Sequence, residues 1–128
     1  MPRFAPRILL CALVAVTGCA TTGGRLAPAN GHTEVGIASY YSRAHHGRKT
    51  ASGVRYDERD LTAAHRSLPF GTRVRVTNLG NGRTVVVTIT DRGPFARGRI
   101  LDVSYRAARD LDFVRAGTAR VRLEVLSG

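Results

Sequence analysis

Two strand-like runs on either side of Asn81-Gly82 constrain the fold of this chain more than any other feature. Residues 73–79 alternate apolar and polar side chains for most of their length, and residues 84–90 are β-branched throughout. Asn-Gly is the strongest short hairpin signal because both residue types tolerate positive φ. The pattern therefore predicts an antiparallel hairpin in which each strand turns one face to a core.

The remainder of the segment 34–128 adds strands and little helix. Alternation predicts strands at residues 35–41 and 120–126, and short apolar runs suggest strands at 100–103 and just before His65. Helix formers at residues 105–111 follow Ser104, a good capping residue, and residues 57–60 suggest a single helical turn. We expect an all-β domain, a small barrel or sandwich, with one or two short helices.

The amino terminus has the pattern of a targeting segment. Residues 8–16 form an apolar run after Arg3 and Arg7, too short to span a bilayer but typical of a signal-peptide core. Residues 16–19 resemble a bacterial lipobox, whose cysteine is lipidated and becomes the new amino terminus. We expect a signal peptide at 1–18 and a lipidated Cys19 with a flexible tether over 19–33. The alternative is a plain signal peptide in which Cys19 is incidental.

Composition excludes several classes of protein. A hydrophobic content of 43% argues against wholesale disorder, and two cysteines exclude a disulfide-dense scaffold or a four-cysteine zinc site. We expect no metal and no cofactor. The net charge of +11 favours polyanionic partners. The targeting segment argues against nucleic acid and leaves lipid headgroups, lipopolysaccharide and cell-wall carboxylates, although an arginine-rich genome would give the same charge.

Asp91 is the residue most suggestive of chemistry. It stands where a hydrophobic strand ends and a Gly-Pro loop begins, so a rigid strand would hold its carboxyl group at a cleft. Such a group can serve as a general acid. The same residues can equally form a turn in which Asp91 pairs with Arg92 or caps loop amides.

Eight ordered motifs are distributed along the segment 34–126. They lie at residues 36–41, 50–53, 61–65, 68–72, 76–78, 81–83, 91–95 and 99–104. Together they resemble the rare lipoprotein A (RlpA) family. The resemblance implies a six-stranded double-psi β-barrel, related in fold to expansins, and an endolytic peptidoglycan transglycosylase carried by an envelope lipoprotein.

The resemblance also implies a reaction and a set of site residues. Such an enzyme cuts between N-acetylmuramic acid and N-acetylglucosamine and leaves a 1,6-anhydro product. Asp91 matches the family's catalytic aspartate, and a substrate groove is expected from Tyr41, Thr50, Ser52, His65 and Arg92. Two alternatives stay open: His65 can be a hydrogen-bonded structural residue, and Arg92 can order the Asp91 loop.

One position departs from the family pattern. The residue after Thr-Ala-Ser-Gly is commonly Glu and is implicated in activity, whereas this chain has Val54, with Asp57 and Glu58 as possible substitutes. An alternative function is therefore a non-catalytic, expansin-like peptidoglycan-binding lipoprotein.

Partners and location follow from the same resemblance. We expect a monomer that binds glycan strands, not nucleic acid, and reaches a membrane through Cys19. Ala20 favours the periplasmic face of the outer membrane, with the cell membrane as the alternative. No C-terminal SPOR module is expected after the barrel domain 34–128.

Overall fold

The computed structural model describes residues 31–127. Six strands are present: β1 Thr33–Tyr40, β2 Thr62–Ala64, β3 Arg73–Asn78, β4 Thr84–Asp91, β5 Arg99–Val103 and β6 Ala119–Ser127. They are joined by one helix, α1 Tyr105–Asp110, and one 3-10 turn, Arg43–His45. The predicted signal peptide, Cys19 and the tether up to residue 30 lie outside the described residues.

The six strands close into a barrel in the order β1-β5-β2-β4-β3-β6. Two neighbouring pairs are parallel, β1 with β5 and β2 with β4, and the other four are antiparallel. Parallel partners need crossover connections, so this topology is more than a chain of hairpins. The all-β class and the double-psi β-barrel predicted from the resemblance are confirmed.

The core is formed by alternate residues of the strands. The inward side chains of the three long antiparallel strands are Val74, Val76, Val85, Val87, Ile89, Val121, Leu123 and Val125. Each side chain of this kind contributes about 1.5–3 kcal/mol on full burial. The alternation therefore fixes which residues of β3, β4 and β6 point outward.

The predicted hairpin joins β3 to β4, with Val76 opposite Val85. The turn differs from the expected one, because only Gly82 has positive φ (78°) and Asn81 does not. The Asn78 carbonyl accepts from the Gly82 N–H at 2.7 Å. The Asn78 and Asn81 side chains both donate to the carbonyl of Leu111, which fastens the hairpin to the end of α1.

The helix begins as predicted after Ser104, whose Oγ accepts from the Ala107 N–H at 3.2 Å. The helical turn predicted at residues 57–60 is wrong. Asp57 instead accepts from the Arg59 N–H through its side chain, at 2.9 Å, and from the Asp60 N–H through its carbonyl. This side-chain bond offers the backbone a turn in place of a helix.

Candidate functional site

Asp91 is the last residue of β4 and accepts three hydrogen bonds. Its Oδ2 accepts from the Tyr41 hydroxyl at 2.6 Å, and its Oδ1 accepts from the backbone N–H groups of Ala51 and Arg92, at 2.9 Å each. The residue is half-buried, so solvent still reaches it. Donors on both oxygens fix the orientation of the carboxyl group. Asp91 thus caps loop amides, as one sequence alternative stated, and occupies a position open to a ligand.

The loop at residues 50–53 holds one of those donors in place. Thr50 Oγ1 donates to the Val54 carbonyl at 2.6 Å and lies 2.9 Å from Ser52 Oγ. The Ser52 N–H donates to the carbonyl of Thr90 at 3.2 Å, which ties the loop to β4. Thr50 and Ser52 therefore shape the turn that presents Ala51 to Asp91. The Val54 side chain is 58% exposed.

Tyr41 follows β1 and reaches Asp91 from the other side. Its N–H donates to the Val103 carbonyl at 3.0 Å, and its ring packs against Tyr56 (4.7 Å between centroids) and His45 (5.5 Å). Burial, together with the hydrogen bond to Asp91, raises the pKa of Tyr41 well above its ordinary value. The phenol therefore remains a proton donor toward Asp91 at neutral pH.

Tyr40 and Tyr41 separate as expected for neighbours on a strand. Tyr40 packs edge-on against Tyr105 and Phe113, and its hydroxyl donates to the Val114 carbonyl at 2.9 Å. Beside it is a cavity of about 650 Å³ lined by Tyr40, Ser42, Arg43, Tyr105, Val114 and Gly117. Tyr40 thus braces the barrel, while Tyr41 belongs to the Asp91 site.

A second carboxylate, that of Asp102, lies in the same row of the barrel as Asp91. Ala64 of β2 pairs with Asp91 on one side and with Asp102 of β5 on the other, and Asp102 in turn pairs with Ser39. Asp102 accepts hydrogen bonds from the Ser39 hydroxyl and from the Arg99 guanidinium, the latter at 2.9 Å. No local pattern in the sequence marks this row, because four separate strands assemble it.

His65 is buried, with both ring nitrogens bonded. Its Nε2 lies 2.8 Å from the Glu34 carboxylate, and its Nδ1 accepts from the Ser67 and Leu68 N–H groups at 3.1 and 3.0 Å. Accepting at Nδ1 leaves the ring proton on Nε2, where it donates to Glu34. The ring orders the loop after β2 and leaves no nitrogen free for a ligand.

Arg92 makes its side-chain contacts with the same loop. Its guanidinium donates to the carbonyl of Leu68 at 2.8 Å and lies over the Phe70 ring, 4.1 Å from the centroid. The contacts match the alternative in which Arg92 orders the Asp91 loop. Among the expected groove residues, Tyr41 contacts the Asp91 carboxylate through its side chain and Arg92 through its backbone N–H. The side chains of Thr50, Ser52, His65 and Arg92 organise the two flanking loops.

Residues 31–127 were searched for clusters of metal ligands and for helices of membrane-spanning length. Within this range no group of three or more His, Cys, Asp or Glu side chains is placed to hold a metal ion. The same range contains no helix that is long and apolar enough to cross a bilayer.

Comparison with known proteins gives a consistent result. The family model described as "Lytic transglycolase" matches residues 33–123. The chain is 61% identical over 93 residues to the probable endolytic peptidoglycan transglycosylase RlpA of Nostoc sp., covering 71% of this chain and 25% of that protein. It is 51% identical over 96 residues to the endolytic peptidoglycan transglycosylase RlpA of Campylobacter jejuni, covering 75% and 35%.

Solved structures agree with the fold. The apo form of the Clavibacter michiganensis expansin superposes with a TM-score of 0.57 at 27% identity, covering 74% of this chain and 50% of that one. The present chain thus spans between a quarter and about a third of the length of the two curated relatives.

Proposed function

Because the chain belongs to the lytic transglycolase family, we propose that its barrel cleaves peptidoglycan glycan strands with Asp91 as the catalytic acid and base. The observation that carries this proposal is the carboxyl group of Asp91, solvent-accessible at a strand end and oriented by donors on both oxygens. A pair of relatives named as peptidoglycan transglycosylases supports the substrate class.

One carboxyl group is sufficient for this reaction. A glycosidase that uses water needs a second carboxylate to activate the water or to attack the sugar. In a lytic transglycosylase the muramic 6-hydroxyl is the nucleophile and is already attached to the reacting sugar. Asp91 gives its proton to the glycosidic oxygen as the bond breaks, and the carboxylate then takes the proton of the attacking 6-hydroxyl. The products are a free 4-hydroxyl and a 1,6-anhydro sugar.

The neighbours of Asp91 keep this group in position through both steps. The Ala51 and Arg92 N–H groups hold Oδ1. Oδ2, on the Tyr41 side, is the oxygen that can exchange a proton by a small movement of the phenol. Tyr41 itself does not compete as an acid, because its raised pKa keeps its proton bound.

The test is the product formed from purified glycan, measured by mass spectrometry. Wild type should release 1,6-anhydro-muramic products, and Asp91→Asn should lower their rate at least about a hundredfold. Asp112→Asn is the matched control, because this exposed residue has positive φ (57°), which Asn also tolerates. If Asp91→Asn turns over like the control, the acid is another group, with Asp102 the next to test.

A non-catalytic wall-binding role is the second candidate, and one observation favours it. Val54 stands where the family commonly has Glu, and its side chain is exposed beside the loop that reaches Asp91. Under this alternative, wild type sediments with isolated cell-wall sacculi and yields no anhydro product at any concentration. Anhydro product that depends on Asp91 would exclude it.

We further propose that Cys19 anchors the protein to an envelope membrane facing the periplasm, favouring the outer membrane. The support is the lipobox-like sequence at residues 16–19 and Ala20 after the cysteine. Two or more acyl chains hold a protein firmly where one binds only marginally. Labelled fatty acid should enter wild type and Cys11→Ser but not Cys19→Ser. Equal labelling of Cys19→Ser would refute the anchor.

A further inference from the structure

One outer face of the barrel carries a band of arginines that the proposed reaction does not use. Arg73 and Arg75 point outward from β3, and Arg120 and Arg122 point outward from β6, since the residues between them fill the core. The two strands are paired, with Thr77 opposite Arg122. At about 3.4 Å per residue the band extends over about 20 Å.

The charge of this basic band is poorly compensated. Glu124 is the single acidic residue on the outward positions of β3 and β6, and it lies 3.1 Å from Arg122 and 3.8 Å from Arg75. Arg73 and Arg120 make no ion pair within the part of the chain that the structure describes. Four cations and one anion leave a strong positive excess.

The β6 part of the basic band lies across the barrel from the β2 strand beside Asp91. In the closed strand order β6 is three places from β2 in either direction, so the two strands lie on opposite sides of the barrel. Ala64 of β2 lies between Asp91 and Asp102 in the register. The β3 part of the basic band is closer, because β3 pairs with β4 and Arg73 lies opposite Thr88, three residues before Asp91.

The chain also enters the barrel beside this band. Thr33, the first residue of β1, pairs with Glu124, and the Val125 N–H donates to the His32 carbonyl at 2.9 Å. Residues 1–30, which include the apolar run and Cys19, thus join the domain at the edge of the arginine face. Val35 of β1, opposite Arg122, adds a half-exposed apolar side chain to that edge.

We propose that the basic band docks the barrel on an anionic lipid surface. Its charge is complementary to lipid phosphates, and the chain enters at the side that would face the membrane. Arginines near an anionic membrane surface add to affinity roughly equally and within a Debye length. The docking does not depend on glycan cleavage, so it stands or fails separately from the proposed enzymatic function.

The experiment measures vesicle binding of the full chain carrying Cys19→Ser, which removes acylation. Vesicles of phosphatidylcholine alone are compared, at equal total lipid, with vesicles that contain about 30% phosphatidylglycerol. The neutral vesicles measure the binding contributed by residues 8–16, which can bind either kind. The test variant replaces Arg73, Arg75 and Arg120 with Gln and leaves the Arg122–Glu124 pair intact. At about fivefold per arginine, its partition coefficient on anionic vesicles should fall about a hundredfold. Binding to neutral vesicles should not change.

A second triple variant controls for net charge. Arg48, Arg97 and Arg109 are exposed and lie outside β3 and β6, so replacing them with Gln removes the same charge from elsewhere. This variant should lose less than tenfold. Equal losses in both triples would show a bulk charge effect and overturn the docking face, as would an unchanged first triple. Loss of binding to sacculi instead of vesicles would assign the basic band to the cell wall and equally overturn the proposal. Circular dichroism of both triples verifies that the barrel is retained.

Discussion

Replacing Tyr41 with Phe tests the structure of the Asp91 site most directly. The change removes one hydroxyl group and keeps the ring that packs on Tyr56 and His45. The lost bond is the 2.6 Å donation to the Asp91 carboxylate. Hydrogen bonds to charged groups contribute about 1.5–3 kcal/mol. Because solvent reaches Asp91 and can replace the donor, we expect a loss of about 1 kcal/mol at pH 7, or about 4–8 °C in Tm for a domain of this size.

The same variant should behave differently in alkali. Burial, and then the hydrogen bond to Asp91, raises the pKa of Tyr41 above the ordinary value of 10.0 that it regains on unfolding. Above pH 10 the unfolded chain releases this proton and the folded chain does not, so the free energy of unfolding falls as pH rises. A full effect is 1.36 kcal/mol per pH unit. Partial exposure of Tyr41 lowers this to about 1 kcal/mol or less.

Urea unfolding of both proteins between pH 7 and pH 11 provides the measurement. The stability of wild type should fall more steeply than that of Tyr41→Phe above pH 10, so the two curves converge. Tyr56 also has a raised pKa because of burial, but it is present in both proteins and cancels in the difference. Parallel curves over this range would refute the buried Tyr41–Asp91 bond. Glycan cleavage by Tyr41→Phe should also be slower, because Asp91 Oδ2 loses its fixed partner.

Two further substitutions test the loop beside Asp91 and the start of the helix. Val54→Glu should accelerate formation of anhydro product, because it would add a carboxylate near the developing positive charge of the sugar. Its Tm should change little, because the residue at position 54 is exposed. A rate no higher than that of Val54→Gln would contradict this prediction. Ser104→Ala should lower the free energy of unfolding by about 1–2 kcal/mol, because the buried hydroxyl caps α1 and donates to the Asp60 carbonyl at 2.6 Å. Ser67→Ala, at an exposed position, is the control. A loss no greater than that of the control would show that the cap is dispensable.

Local signals in the sequence predicted the local parts of the fold. The β3–β4 hairpin needs only two alternating strands and a turn, and the start of α1 needs only a serine before helix formers. The turn at residues 57–60 shows the limit of such reasoning. Its charged residues suit a helix, but the Asp57 carboxylate bonds a nearby backbone N–H and favours a turn. The chain closes a single turn, in which the Asp60 N–H donates to the Asp57 carbonyl, and then continues into β2.

The site was predictable in its residue types and not in its arrangement. Asp91 could be found because it interrupts a hydrophobic strand before a Gly-Pro loop, and Tyr41 because it lies in a recognisable motif. His65 is different, since burial and the bond to Glu34 depend on a contact between residues 31 positions apart. Its loop-ordering role became visible only when β1 and β2 were placed in the same barrel.

The row formed by Asp91, Ala64 and Asp102 shows how the topology bears on the chemistry. Ala64 separates the two carboxylates by two strand spacings of about 4.8 Å, which puts their Cα atoms about 10 Å apart. Asp102 is bonded to Arg99 and Ser39, whereas Asp91 is held by neutral donors. The Arg99 guanidinium thus engages the Asp102 carboxylate in an ion pair, whereas no cation pairs with Asp91 within residues 31–127. The barrel thus presents one carboxyl group bonded to neutral donors and a second, ion-paired one nearby, an arrangement that suits the proposed reaction, whose nucleophile belongs to the substrate.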